Sequence, residues 1–151
     1  MIYMTAHPEI DSMTKYPARG VYHHYHHREM TMYGEVDVDF IMLDVRYHRT
    51  KADMLGSAQW EWLQRVLQKI KNEPVKPNWI VIVLGTTYLL EHPAIVKKVG
   101  GESWDNESRM RFSWLLQNLK FPRERIILLS GDVHFSIVHD FQGLKVMYFL
   151  R

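Results

Sequence analysis

The sequence predicts a layered domain of the α/β or α+β class with mixed strand pairing. Three observations carry that expectation. Short apolar runs, at 36–44, 79–84 and 126–129, have the length and β-branched content of strands. Two segments between them, 58–72 and 107–119, repeat their apolar residues with helical spacing. The chain then closes on two more apolar segments, 136–142 and 144–150, separated by Gln142-Gly143, the pattern of an antiparallel hairpin.

Residues 1–19 carry Pro8 and Pro17 and show no apolar period, so they read as an irregular lead-in to a single domain spanning 1–151. Val21–His27 suits a strand with Tyr22, His24 and His26 on one face and Val21, His23, Tyr25 and His27 on the other. His23, His24, His26 and His27 are expected to coat a half-exposed strand. The sharper alternative is a histidine-rich metal-binding surface. Gly34 allows a turn into the strand at 36–44, which starts in strict alternation and becomes continuously apolar, as if passing from the edge into the core.

Ser57 is a good N-cap for the first helix, whose Trp60, Leu63, Leu67 and Ile70 share one face. Its tryptophans read as core anchors. Pro74 and Pro77 end it. Trp79–Leu84, without alternation, suggests a sheet covered on both faces. Residues 86–105 form a long loop with a Gly100-Gly101 hinge signal. The second helix is expected to turn Met110, Trp114, Leu115 and Leu119 inward.

Composition excludes several functions. A net charge of +2 without a basic stripe argues against nucleic-acid binding. The absence of cysteine removes disulfides, thiolate metal sites and thiol nucleophiles. No apolar run approaches the roughly 18 residues of a membrane span, so membrane binding is not expected either, and the first residues lack the pattern of a signal peptide. There is no internal repeat. At this length a chain can bury about 70% of its unfolded surface.

The chemistry-bearing stretch is Ile126–Phe135. A buried-type strand runs into Gly131, and Asp132 and His134 follow at i and i+2. In extended chain these two side chains point the same way, so a carboxylate and an imidazole converge at a strand end. That pair suits a hard or borderline cation, and equally a turn cap. Asp44 and Arg46 end the strand at 36–44 in the same spacing, either as a structural ion pair or with Arg46 facing a phosphate. Asp105 or Asn106 caps the second helix, faces a site, or divides those roles with its neighbour.

The segments GVYHHYHH, FIMLDVRYHR, MLGSAQWEWL, EHPAI, GGESWDN and LLSGDVHF, in this order, resemble the C-terminal half of alkaline phosphatase D (PhoD-like) proteins of the calcineurin-like metallophosphoesterase superfamily. GESWDN and SGDVHF are the specific pieces. The resemblance implies part of a two-sheet sandwich, a mixed β-sheet flanked by helices, with a metal centre at the strand ends. It implies a metal-dependent phosphatase or phosphodiesterase acting on a phosphate ester through calcium, iron or manganese. Catalytic roles fall on Asp132, His134 and Arg46. Metal ligation falls on Asp132, His134 and Asp105, and substrate contacts on Arg46, Trp104 and Asn106. Val45 replaces a family Thr, and Thr86-Thr87-Tyr88 stands where the family shows a Gln.

The superfamily's early ligand motifs, including the bridging carboxylate, do not occur here. The ligands present are too few for a two-metal centre. The expectation is therefore a second chain or a missing N-terminal half that completes the site, or else a catalytically incomplete homologue acting as an interaction module.

Overall fold

The computed structural model describes residues 20–86, 88, 103–131, 137–141 and 144–148, the hairpin residues 137–141, 144 and 148 as backbone alone. Six strands form one mixed sheet: β1 (His23–Thr31), β2 (Gly34–Met42), β3 (Trp79–Val83), β4 (Ile126–Ser130), β5 (Ile137–Phe141) and β6 (Leu144–Tyr148). Their spatial order is β1-β2-β3-β4-β6-β5. The centre, β2 to β3 to β4 to β6, is parallel, and each edge strand is antiparallel to its neighbour.

The parallel pairs need crossovers, and helices α1 (Ser57–Asn72) and α2 (Asn106–Leu119) supply the first two. Successive right-handed crossovers in one direction place both helices on the same face. That face is the core. Ile41, Leu43, Ile80, Ile82, Leu84, Ile126, Leu128 and Val146 of the sheet pack against Trp60, Leu63, Val66, Leu67 and Ile70 of α1 and Phe112, Leu115, Leu116 and Leu119 of α2. Each such side chain, taken out of water, stabilises the fold by about 1.5–3 kcal/mol.

Several expectations change. The strand at 79–83 is not covered equally on its two faces: Ile80 and Ile82 are fully buried, whereas Trp79 is exposed and Val83 half-buried. Among the described residues, both helices lie on the Ile80 side. The first strand extends to Thr31 because the hairpin turn lies at Met32-Tyr33, where the Thr31 hydroxyl donates to Gly34 O and accepts from Tyr33 N. Ser57 is not the cap of α1. It is the first helical residue, and Gly56, at φ 74°, precedes it.

On α2, Met110 and Trp114 face outward at 59% and 58% exposure. The buried stripe is Ser108, Phe112, Leu115, Leu116 and Leu119. Phe112 decides the phase, because burying its ring against Trp104 and Tyr88 turns Met110 and Trp114 away. The terminal hairpin forms as expected, with Ile137 opposite Tyr148. The long loop, apart from Thr86, Tyr88 and 103–105, lies outside the described residues, as do Gly100-Gly101 and the hairpin turn at 142–143.

Candidate active site

The carboxyl ends of β2, β3 and β4 point the same way, and the crossover helices start at that edge. In open α/β sheets this is where ligands collect. Three strand exits meet there. β2 continues into Leu43-Asp44-Val45-Arg46, β3 into Leu84-Gly85-Thr86, and β4 ends at Ser130-Gly131. Leu43 N donates to Val83 O at 2.9 Å and Leu84 N to Leu129 O at 2.8 Å, so pairing continues past the strand ends. The Ser130 hydroxyl donates to Thr86 O. Gly85, at φ 68°, lies so close to Val45 that a Cβ would sit 3.0 Å from Val45 Cγ2. Val45, where the family has Thr, is thus a packing residue here.

Asp44 organises the first exit. Its Oδ1 accepts from Arg46 N at 2.9 Å and Tyr47 N at 3.0 Å, and its Oδ2 from Val21 N at 2.9 Å. Burial is the largest single influence on this carboxyl and opposes ionisation. The three backbone donors together outweigh it and hold the group below its ordinary value. Arg46 thus meets Asp44 through its backbone N–H, while its side chain stands at the surface. Gln59, buried in the first turn of α1, clamps the peptide of Asp44 from behind.

A second turn is built on Asp53. Its Oδ1 accepts from Leu55 N and Gly56 N, both at 3.0 Å, and from the Trp60 indole at 2.7 Å. Burial again opposes ionisation most, and these donors, helped by Arg111, again win. Arg111 lies 4.5 Å over the Trp60 ring.

The segment Trp104-Asp105-Asn106 enters the same edge at the start of α2. Trp104 is 2% exposed and packs edge-on against Trp60 and Tyr88, with centroid separations of 6.4 and 5.5 Å. Tyr88 donates or accepts at the Ser113 hydroxyl, 2.6 Å away, and burial raises its phenol above the ordinary range. This aromatic cluster fixes Asp105, which is the N-cap of α2: Oδ1 accepts from Ser108 N at 2.8 Å. The Ser108 hydroxyl in turn accepts from Met54 N at 3.0 Å. Asp105 Oδ2 is buried and has no hydrogen-bond partner among the described residues. The same holds for Trp104 Nε1 and Thr86 Oγ1. Asn106 is exposed, and its Oδ1 accepts from Arg109 Nη2 at 3.5 Å.

Asp132 and His134 lie outside the described residues, so their geometry does not enter. Among the described residues no group of three or more His, Asp or Glu is placed to hold a metal ion. The histidines of the first strand are divided between its two faces, His24 and His26 on one and His23 and His27 on the other. A shallow hollow lined by Glu61, Gln64, Arg65, Gln68 and Lys69 is built by the outer face of α1 alone and includes no strand-end residue. No helix among the described residues is long and apolar enough to cross a membrane.

A profile of PhoD-like phosphatases matches residues 14–148, nearly the whole chain. The chain belongs to the PhoD-like phosphatase family. Among curated proteins, none matches the sequence significantly. Several solved structures share its fold, two of which are described. One is GAP50, described as the anchor in the inner membrane complex of Plasmodium, with a TM-score of 0.59 and 12% identity over 85% of this chain and 37% of that one. The other is a structure of PhoD, with a TM-score of 0.58 and 18% identity over 85% of this chain and 28% of that one. The chain thus spans well under half the length of either structure.

For a PhoD-like chain, Gln59, Asp53 and Ser108 are the residues that sequence reasoning missed. Each is an ordinary polar residue until the fold brings a distant backbone group against it. Only the Asp53-x-x-Gly56 turn spacing carried a local signal.

Proposed function

We propose that this chain carries one wall of a metal-dependent phosphoric ester hydrolase site, in which water attacks the phosphate of a monoester or diester. The observation that supports it most is Asp105. One carboxylate oxygen is committed to the helix cap, and the other is buried without a hydrogen-bond partner among the described residues. An ionised carboxylate only accepts, so its free oxygen calls for a hydrogen-bond donor or a cation. Burying that charge uncompensated is costly, and coordination to a hard cation removes the cost. Asp105 is therefore compatible with the cation that the family implies.

On this reading Asp105, with Asp132 and His134, holds calcium, iron or manganese. A bound cation of this kind supplies Lewis acidity to the phosphoryl oxygens and to the attacking water. Arg46 neutralises phosphate charge, Asn106 flanks the substrate, and Trp104, buried in the aromatic cluster, positions Asp105 and Asn106 rather than touching the substrate. Water is the nucleophile, so no side chain forms a covalent intermediate. A second chain or further sequence supplies the remaining ligands, including the bridging carboxylate.

The test is hydrolysis of bis-p-nitrophenyl phosphate by the purified chain with calcium, iron or manganese added, and His134→Ala beside it. Metal-dependent turnover that the variant loses supports the proposal. A folded chain without turnover at every metal means that the chain alone builds no working site and needs the remaining ligands from a second chain or further sequence. Failure to gain turnover with that part supplied overturns the proposal. That result would favour a second reading, an interaction module that kept the fold and lost the chemistry. The likeness to GAP50, described as an anchor, favours this alternative.

A further inference from the structure

The face of β1 and β2 nearest the core carries two buried carboxylates, Asp37 and Asp39, at 2% and 4% exposure. They lie at i and i+2, so both point to the same side. Burying two like charges side by side needs compensation. β1 provides it in register, with Arg28 opposite Asp37, His26 opposite Asp39 and His24 opposite Ile41.

Arg28 satisfies one oxygen of Asp37. Its Nε donates to Asp37 Oδ2 at 2.7 Å and its Nη2 reaches the same oxygen. His24 Nε2 meets Asp39 Oδ1 at 2.6 Å. His26 lies between the two carboxylates. Its Nδ1 is 3.3 Å from Asp39 Oδ1, and its Nε2 is 3.6 Å from Asp37 Oδ1. Asp37 Oδ1 is buried and has no hydrogen-bond partner among the described residues. A neutral imidazole has one N–H and one lone pair, so it can donate to only one of these oxygens and turns a lone pair toward the other. Only the imidazolium donates from both nitrogens.

We propose that His26 is a proton-operated clasp: doubly protonated, it bridges Asp37 and Asp39 and holds the edge strand β1 on the sheet, and on losing a proton it releases one of them. The charge count supports this. Arg28 balances one carboxylate, and the second lacks a fixed cation. Of the other ionisable groups facing the cluster, His24 meets Asp39 Oδ1 at 2.6 Å and is no fixed cation. Glu35, 3.2 Å from Arg28 Nε, and Glu73, beyond the C-terminus of α1, both act on Arg28 and are acidic. Asn78, which accepts from Asp37 N at 2.9 Å, is neutral. β1 is an edge strand with one neighbour, so loosening it exposes the backbone of β2 without dismantling the parallel core.

The sign follows from the bound proton. The imidazolium donates to both carboxylates and the neutral ring to one, so the clasp holds while the proton is bound and loosens as rising pH removes it. The experiment compares amide hydrogen exchange of residues 23–31 at roughly pH 5.5 and roughly pH 8, corrected for intrinsic exchange, in the native chain, His26→Gln and Asp37→Asn. The expected result is protection of β1 that falls several-fold at the higher pH in the native chain and changes much less in both variants. His26 is half exposed at its side chain, so the glutamine is accommodated without disturbing the core. Protection that falls equally in all three proteins would overturn the proposal, as would protection that does not change with pH in the native chain.

Discussion

Gln59 holds Asp44 at both ends of its peptide unit. Its Oε1 accepts from Asp44 N at 2.8 Å, and its Nε2 donates to Asp44 O at 2.7 Å. A residue of α1 thereby completes the hydrogen bonding of the chain as it leaves β2, where no further strand pairing is available. The same Nε2 also donates to Leu55 O at 3.2 Å, so one amide ties the strand exit to the helix entry.

Gln59→Leu fills about the same volume and removes all three bonds, both of those to Asp44 among them. It leaves a buried N–H and a buried C=O unpartnered, each costing about 1–3 kcal/mol. The expected loss of stability is therefore roughly 3 kcal/mol by denaturant unfolding. A loss below about 0.5 kcal/mol would show that Gln59 does not hold this turn.

Asp44 and Asp53 both titrate below the ordinary carboxylate value of 3.8. A carboxyl whose folded value is depressed contributes stability that is present above its unfolded value and lost as pH falls through the folded one. The acid limb of the Tm profile, recorded from roughly pH 6 down to roughly pH 2, should therefore fall steeply below about pH 4. Asp53→Asn should make that limb shallower and leave the profile above it flat. An unchanged acid limb in the variant would contradict the assignment.

Lys120 closes α2 in the left-handed conformation, at φ 55°, with its N–H on Gln117 O. Glycine takes that conformation without the Cβ penalty. Lys120→Gly should raise stability by about 0.5–1 kcal/mol, visible as a higher urea midpoint with an unchanged slope. A lower midpoint would mean that the lysine side chain contributes more than the backbone strain costs.

The alternation in 36–44, the β-branched run at 79–83 and the terminal hairpin were legible because each pattern is local and each strand is set by its own side chains. The faces of α1 were legible for the same reason: Trp60, Leu63, Leu67 and Ile70 recur at one helical phase and are buried. α2 was misread because Met110 and Trp114 are apolar yet lie off the Phe112–Leu119 stripe. Apolar character there does not decide the face; packing on Trp104 does. Ser57 was misread because Asp53 already draws in Leu55 N and Gly56 N, so the turn before the helix is organised further upstream. In the candidate site, Asp105 was legible as the cap of α2, because a short acceptor side chain directly before a helical period is a local signal. Gln59 and Ser108 were not legible, because their partners are backbone groups 15 and 54 residues away.

The central claim is that the free oxygen of Asp105 belongs to a cation. Asparagine caps helices as well as aspartate does, so Asp105→Asn keeps the bond to Ser108 N and removes the charge. The decisive measurement is equilibrium binding of manganese to the native chain and to this variant, with Tm recorded for both. The account predicts saturable binding that weakens at least about tenfold, roughly 1.4 kcal/mol, while Tm without metal stays within a few degrees. Equal metal binding by the two proteins would contradict it and leave Asp105 as a helix cap alone.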